Sequence, residues 1–211
     1  MKKSILELSR PSGYRSEISL IYDREGSRKY LTVQERNAFL AATKKVSREV
    51  RTFCLVLAYT GARISEVLNL TSSRIDFEAQ VVVFETLKKR RRGVFRAVPV
   101  PAELLAELDR AHAVRMNSQD PHHSKQDVWP WCRTTAWGHV KDCMAAANIA
   151  GPQATPKGLR HAFAVAALQS GVPLNLVQRW LGHARISTTA IYANVIGDEE
   201  RIIAQKLWKE F

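Results

Sequence analysis

The chain has 211 residues, 32 Lys and Arg against 20 Asp and Glu, and a formal net charge of +12, a length that suits one domain or one domain with a remnant of another. A hydrophobic content of 45% excludes a wholly disordered basic tail, and no apolar run is long enough to span a membrane. The opening Met1-Lys2-Lys3-Ser4-Ile5-Leu6 has no apolar stretch behind its lysines, and Cys54, Cys132 and Cys143 are far apart with no CxxC, so no secretory signal is expected and the thiols read as free in a reducing cytoplasm.

Residues 1–28 are polar and aperiodic, broken by Pro11-Ser12-Gly13, and read as an arm or linker. Thr32-Val33-Gln34-Glu35 is a capping box that opens a helix through Phe39, Leu40 and Ala41. A second helix follows Ser47 with Phe53, Val56 and Leu57 on its apolar face. Gly61 interrupts it, and a short helix then carries Arg63, Glu66, Val67 and Leu68. Val81-Val82-Val83-Phe84 is β-branched and bounded by polar residues, and Val94 to Val100 gives a second strand, so the basic segment between them is a hairpin tip. Pro101, at a first helical position, starts a helix through Leu104, Leu105 and Leu108. His122-His123 lies in a polar loop, and residues 134–148 form another helix. The remainder reads as four helical pieces, 156–170, 174–181, 187–195 and 199–210. The expected class is mostly α with a small antiparallel β-sheet (α+β).

The positive excess points to a polyanion, because a basic domain supplies affinity for phosphate backbones without choosing a sequence. Lys88, Lys89, Arg90, Arg91, Arg92 and Arg96 cluster on and beside the hairpin tip with no acid among them. Of these, Lys89, Arg90, Arg91, Arg92 and Arg96 are expected to contact the backbone of double-stranded DNA, which receives most protein–DNA hydrogen bonds.

Three segments then stand out: Ala58-Tyr59-Thr60-Gly61-Ala62-Arg63-Ile64-Ser65-Glu66, Lys157-Gly158-Leu159-Arg160-His161, and Leu181-Gly182-His183-Ala184-Arg185-Ile186-Ser187-Thr188-Thr189-Ala190-Ile191-Tyr192. Arg160 and His183 are 23 residues apart, and His183 and Tyr192 nine. In this order and spacing they resemble the signature boxes of the tyrosine recombinase (phage integrase) family. The resemblance runs over residues 29–211, the whole catalytic domain of that family.

The residues allow that chemistry on physical grounds. An attacked phosphodiester spreads charge over its non-bridging oxygens, and arginine forks match those oxygens while staying charged at any working pH. Arg63 and Arg160, from separate helices, suit such a clamp. A phenol with pKa near 10 is more easily activated than an aliphatic hydroxyl, and neighbouring cations are expected to lower that value further, which favours Tyr192 as nucleophile.

The resemblance implies a site-specific DNA recombinase. Tyr192 would form a 3′-phosphotyrosine link, His183 would assist at the phosphate, and a hairpin lysine, Lys88 or else Lys89, would be the general acid. Glu66 would orient Arg63. It also implies a reaction that needs neither ATP nor a metal, so no cofactor is expected, and the chain has no GxxxxGK[ST] loop or paired-carboxylate cluster. Lys157 stands where the family usually has histidine. Lysine can still donate to phosphate but shuttles protons poorly near neutrality. His161 reads as structurally buried, and Trp129, Trp131 and Trp137 as core or interface aromatics. His122, His123 and Cys132 fit no standard metal spacing.

Residues 1–28 are too short for the N-terminal core-binding domain of about 100 residues that typical members carry. In size the chain resembles the catalytic-domain-only fimbrial phase-switch invertases. Ile203, Leu207 and Trp208 share a face of an amphipathic C-terminal helix over 199–211. In the family such a helix docks into a neighbour, so a tetramer on synapsed DNA is expected. Two other readings stay open. Residues 172–195 also suit a non-catalytic helix-turn-helix regulator, and a type IB topoisomerase shares the same chemistry.

Overall fold

The computed structural model describes residues 21–86 and 93–193. Lys88, Lys89, Arg90, Arg91 and Arg92 of the hairpin tip, residues 1–20 and the segment expected as helix 199–211 lie outside the described residues.

Helix α1 (Val33–Ala42) begins where the capping box places it. Thr32 Oγ1 accepts from the Glu35 amide at 3.2 Å, and the Glu35 carboxylate accepts from the Thr32 amide at 2.8 Å. Helix α2 (Arg48–Thr60), capped by the Ser47 hydroxyl, is the spine of the larger core. It buries Phe53, Cys54, Val56 and Leu57 completely. Gly61 ends it in the left-handed region at φ 60°, and a Cβ there would lie 2.5 Å from the Phe163 ring, so the turn requires glycine on both counts. The tight turn throws Arg63 onto the N-terminus of α3 (Ile64–Leu68).

The sheet has three antiparallel strands in the order β1 (Ile75–Asp76), β2 (Val81–Glu85), β3 (Phe95–Pro99). The two-residue β1 was not foreseen, since it is too short to show a period. The register pairs Val82 with Val98 and Phe84 with Arg96. Alternation along β3 therefore sends Val98 and Arg96 inward together.

Helix α4 (Ala102–His112) buries Leu104, Leu105 and Leu108, with Pro101 capping it from just outside instead of occupying its first position. Helix α5 (Val114–Gln119), also unforeseen, leads to α6 (Arg133–Ala146) and α7 (Pro156–Gln169). Then come α8 (Leu174–Leu181) and α9 (Ser187–Ala190), and α9 is shorter than the expected 187–195.

Helix α2 packs on α4 and α7. Helix α7 contributes Leu159 and Ala162 to the larger core, and Ala164, Val165 and Leu168 to a smaller one with Ile21, Val177, Leu181, Ile191 and Tyr192. Trp129 is buried edge-on to Phe53, while Trp137 is exposed. Cys54, Cys132 and Cys143 are free thiols. No helix among the described residues is long and apolar enough to cross a membrane.

Candidate active site

The site lies where the two cores meet, and Arg160 joins them. It projects from α7, is only 6% exposed, and donates from Nη1 to the Gly61 carbonyl and from Nη2 to the Leu181 carbonyl, both at 2.7 Å. One guanidinium thus ties the end of α2 to the end of α8. Both acceptors are neutral carbonyls. Burial, followed by the charge of Arg63, lowers Arg160 to about 10, and it remains charged at neutral pH.

Glu66 on α3 organises the other arginines. Its carboxylate accepts from the Arg63 amide and from Arg63 Nη1, each at 2.8 Å, and from Arg96 Nη2 at 2.6 Å. Burial alone would push this carboxyl up, but the charge and hydrogen bond of Arg96, with those of Arg63, hold it below the usual carboxylate range. Glu66 therefore stays ionised and holds the Arg63 guanidinium in place.

Arg96 corrects the sequence reading. Grouped with the hairpin cations as a DNA-backbone contact, it is instead 7% exposed, with Nε on the Trp180 carbonyl at 2.7 Å and Nη1 on Thr86 Oγ1 at 3.2 Å. Its strand position faces the core, and its donors are committed to Glu66, Thr86 and Trp180. Gly182, at φ 67°, ends α8 with its Cα side against Arg96, where a Cβ would come within 3.2 Å of the guanidinium. That close approach links β3 to the turn that presents His183.

His183 accepts from or donates to Thr189 Oγ1 through Nδ1 at 2.9 Å, and its ring lies 6.4 Å from that of Tyr192, with 13° between the planes. Burial, then the charges of Arg160 and Arg63, hold it at about 3, so it is neutral. Tyr192 is 1% exposed. Burial pushes its phenol up to about 12, although Arg160 and Arg63 both pull it down. The expected lowering by cations exists, but desolvation outweighs it.

His161 was read as structural. It is indeed buried, yet its Nδ1 lies 2.8 Å from the Tyr192 hydroxyl. Burial, then the charges of Lys157 and Arg160, bring it to about 3. A contact across 31 residues leaves no mark in local sequence; the only available signal was its place beside Arg160. Lys157 is exposed on the first turn of α7, near enough for its charge to act on His161. Arg63, Arg160, His183 and Tyr192 thus lie close together, the charges of both arginines acting on His183 and Tyr192 and that of Lys157 on the adjoining His161, while Lys88 and Lys89 lie outside the described residues. A cleft beside His183, lined also by Thr86, Arg96, Asn175, Gln178 and Arg179, is polar on its helical wall.

Comparison with known proteins covers the stretch of chain that carries these boxes. The phage integrase family model matches residues 29–198. Tyrosine recombinase XerA of Pyrococcus furiosus is 32% identical over 174 residues, which cover 79% of this chain and 57% of the relative. A solved XerA recombinase has 26% identity and a TM-score of 0.69, covering 84% of this chain and 64% of that one. A XerH site-specific recombinase, 20% identical with a TM-score of 0.68 over 90% of this chain and 62% of that one, shares the fold. The chain spans under two thirds of the length of these relatives. A buried Arg160 anchored on two backbone carbonyls, a partly buried Arg63 paired with Glu66, a histidine ring stacked near a buried tyrosine, and a family match across most of the sequence lead to one conclusion: the chain belongs to the phage integrase family.

Proposed function

We propose that this chain cleaves and rejoins duplex DNA as a site-specific recombinase, through a transient 3′-phosphotyrosine at Tyr192. The observation that carries the reading is Arg160: a buried guanidinium anchored by two neutral carbonyls, bonded to no carboxylate among the described residues, whose charge and that of Arg63 both act on the Tyr192 phenol. Burying such a charge is costly unless an anion completes the site, and a phosphodiester is the anion whose oxygens suit two forks.

In cleavage the Tyr192 oxygen bonds to phosphorus as the bond from phosphorus to the 5′-oxygen breaks. The phenolic proton passes to solvent, and the leaving oxygen takes a proton from the hairpin lysine, Lys88 or Lys89. Rejoining reverses these steps with a new 5′-hydroxyl. Arg63 and Arg160 hold the charge that develops on the phosphoryl oxygens, an effect worth roughly 3–4 kcal/mol per donor. With Nδ1 accepting from the Thr189 hydroxyl, His183 carries its hydrogen on Nε2 and donates it to a phosphoryl oxygen. Lys157 adds a cation at the rim.

Double-stranded DNA is the proposed partner, and the XerH neighbour was solved bound to its difH substrate. A tetramer on synapsed DNA through residues 199–211 is proposed with it; a chain ending at Asp198 that still forms DNA-synapsed tetramers would defeat that part. The regulator reading has no support, since α9 has four residues, too few for a recognition helix, and Tyr192 is buried beside the arginines. A type IB topoisomerase would relax supercoils without synapsis.

The test uses a pool of nicked duplexes of varied sequence, from which the cleaved end diffuses away. The wild-type chain should give a denaturation-resistant protein–DNA adduct, and Tyr192→Phe should give none while still binding DNA. Failure of the wild type to form an adduct with any duplex would contradict the proposal.

A further inference from the structure

His161 and Arg160 are consecutive on α7, so their side chains diverge by about 100° around the helix. Arg160 reaches the Gly61 and Leu181 carbonyls while His161 reaches the Tyr192 hydroxyl. The His161 ring is 4% exposed and lies 5.5 Å from the Tyr192 ring, and its Nε2 is buried with no hydrogen-bond partner among the described residues. The charges that act on it, Lys157, Arg160 and Lys29, are all cationic. Burial and these neighbours keep the imidazole neutral, which leaves two tautomers.

If the phenol donated to Nδ1, the ring hydrogen would sit on Nε2, a buried N–H with nothing among the described residues to accept it. If the hydrogen sits on Nδ1, the unpartnered ring atom is a bare lone pair, orphaned buried N–H groups being the rarer and costlier of the two, and the phenolic hydrogen turns away from the ring, toward the side where the phosphate is proposed to bind and the proton to leave. Accepting would also be unproductive, because a ring held at about 3 cannot take a proton from a phenol held at about 12.

We infer that His161 is held as the Nδ1–H tautomer and donates that hydrogen to the Tyr192 oxygen, so that it aims the nucleophile and stabilises the negative charge that grows there when the phenolic proton leaves. No proton moves between the two residues. On rejoining, the same bond stabilises the departing phenolate. The inference rests on the proposed role of Tyr192 and adds to it His161, which lies in the second box but outside the catalytic set of Arg63, Lys157, Arg160, His183 and Tyr192.

Two measurements test it. Long-range proton–nitrogen correlation spectra of the labelled, DNA-free chain between pH 6 and 9 should show His161 neutral, with Nδ1 protonated and Nε2 bare, and the Nδ1 signal should move in Tyr192→Phe. Protonation on Nε2, or no response to Tyr192→Phe, would overturn the inference. In the nicked-duplex assay His161→Leu should slow adduct formation about 10- to 100-fold, the range for one hydrogen bond to a developing charge. Its DNA affinity should change less than about twofold, and His161→Asn, whose side-chain amide hydrogen sits near Nδ1, should recover most of the rate. A wild-type rate in His161→Leu, or an equally slow His161→Asn with an unchanged melting profile, would also overturn it. If the wild-type chain forms no adduct, the recombinase reading fails, and the spectra alone decide whether this hydrogen bond runs in the inferred direction.

Discussion

The two halves of this site sit side by side but handle charge in opposite ways. On one side Arg63, Arg96 and Glu66 form a fully ionised network, with Glu66 held below its usual range by the cations around it. On the other side Tyr192, His161 and His183 lie against the smaller core, and burial keeps all three neutral near pH 7, the phenol at about 12 and both rings at about 3. Arg160 is the boundary, charged but, among the described residues, bonded only to neutral carbonyls. The difference teaches that the arginine side is preorganised in the charge state it uses, whereas the tyrosine side is stored in its unreactive state, and its proton must leave as attack proceeds.

Glu66→Gln strikes the ionised half hardest. It leaves Arg63 and Arg96 without their shared counter-charge, and removing one member of a buried ion pair costs on the order of 3–5 kcal/mol. Denaturant unfolding should register that loss, and a change under about 1 kcal/mol would mean the network behaves as a surface pair. Arg160→Lys keeps the charge but removes the fork that spans two carbonyls, so adduct formation should fall roughly 100- to 1,000-fold. A loss below tenfold would show that charge without geometry suffices.

The neutral half is tested by pH. His161 and His183 titrate at about 3 in the fold but near 6.5 when unfolded, so below 6.5 the unfolded chain binds protons that the folded chain does not. Stability is therefore full above 6.5 and falls as pH drops toward 3, by roughly 2–3 kcal/mol between pH 7 and 5.5 if both rings contribute fully. Replacing His161 with Asn should remove about half of that slope; an unchanged slope would place the ring in water. The smallest effect is expected from Thr189→Val, which deprives His183 Nδ1 of its partner. A loss of about 1 kcal/mol in stability and a few-fold slower adduct formation should follow.

Much of the fold was legible because its devices are local. The Thr32–Glu35 capping box, the Ser47 cap, the Gly61 break and the apolar period of α2 each act within a few residues, and they led directly to Arg63 and Glu66. Arg96 was misread because a run of charge obscured the strand's alternation, although Val98 two residues on already pointed inward. The raised phenol at Tyr192 was missed for a different reason: its sign depends on how far burial exceeds the pull of two arginines, and only the folded chain decides that. His161 meets Tyr192 through the packing of α7 against the turn after α9, a juxtaposition that no periodicity announces.

The most direct test of the central claim is chemical mapping of the trapped species. After incubation with the nicked-duplex pool, protease and nuclease digestion followed by mass spectrometry should find a single nucleotide-bearing peptide, with the nucleotide joined through its 3′-phosphate to Tyr192. A nucleotide on any other side chain, or a 5′-phosphate linkage, would contradict the account.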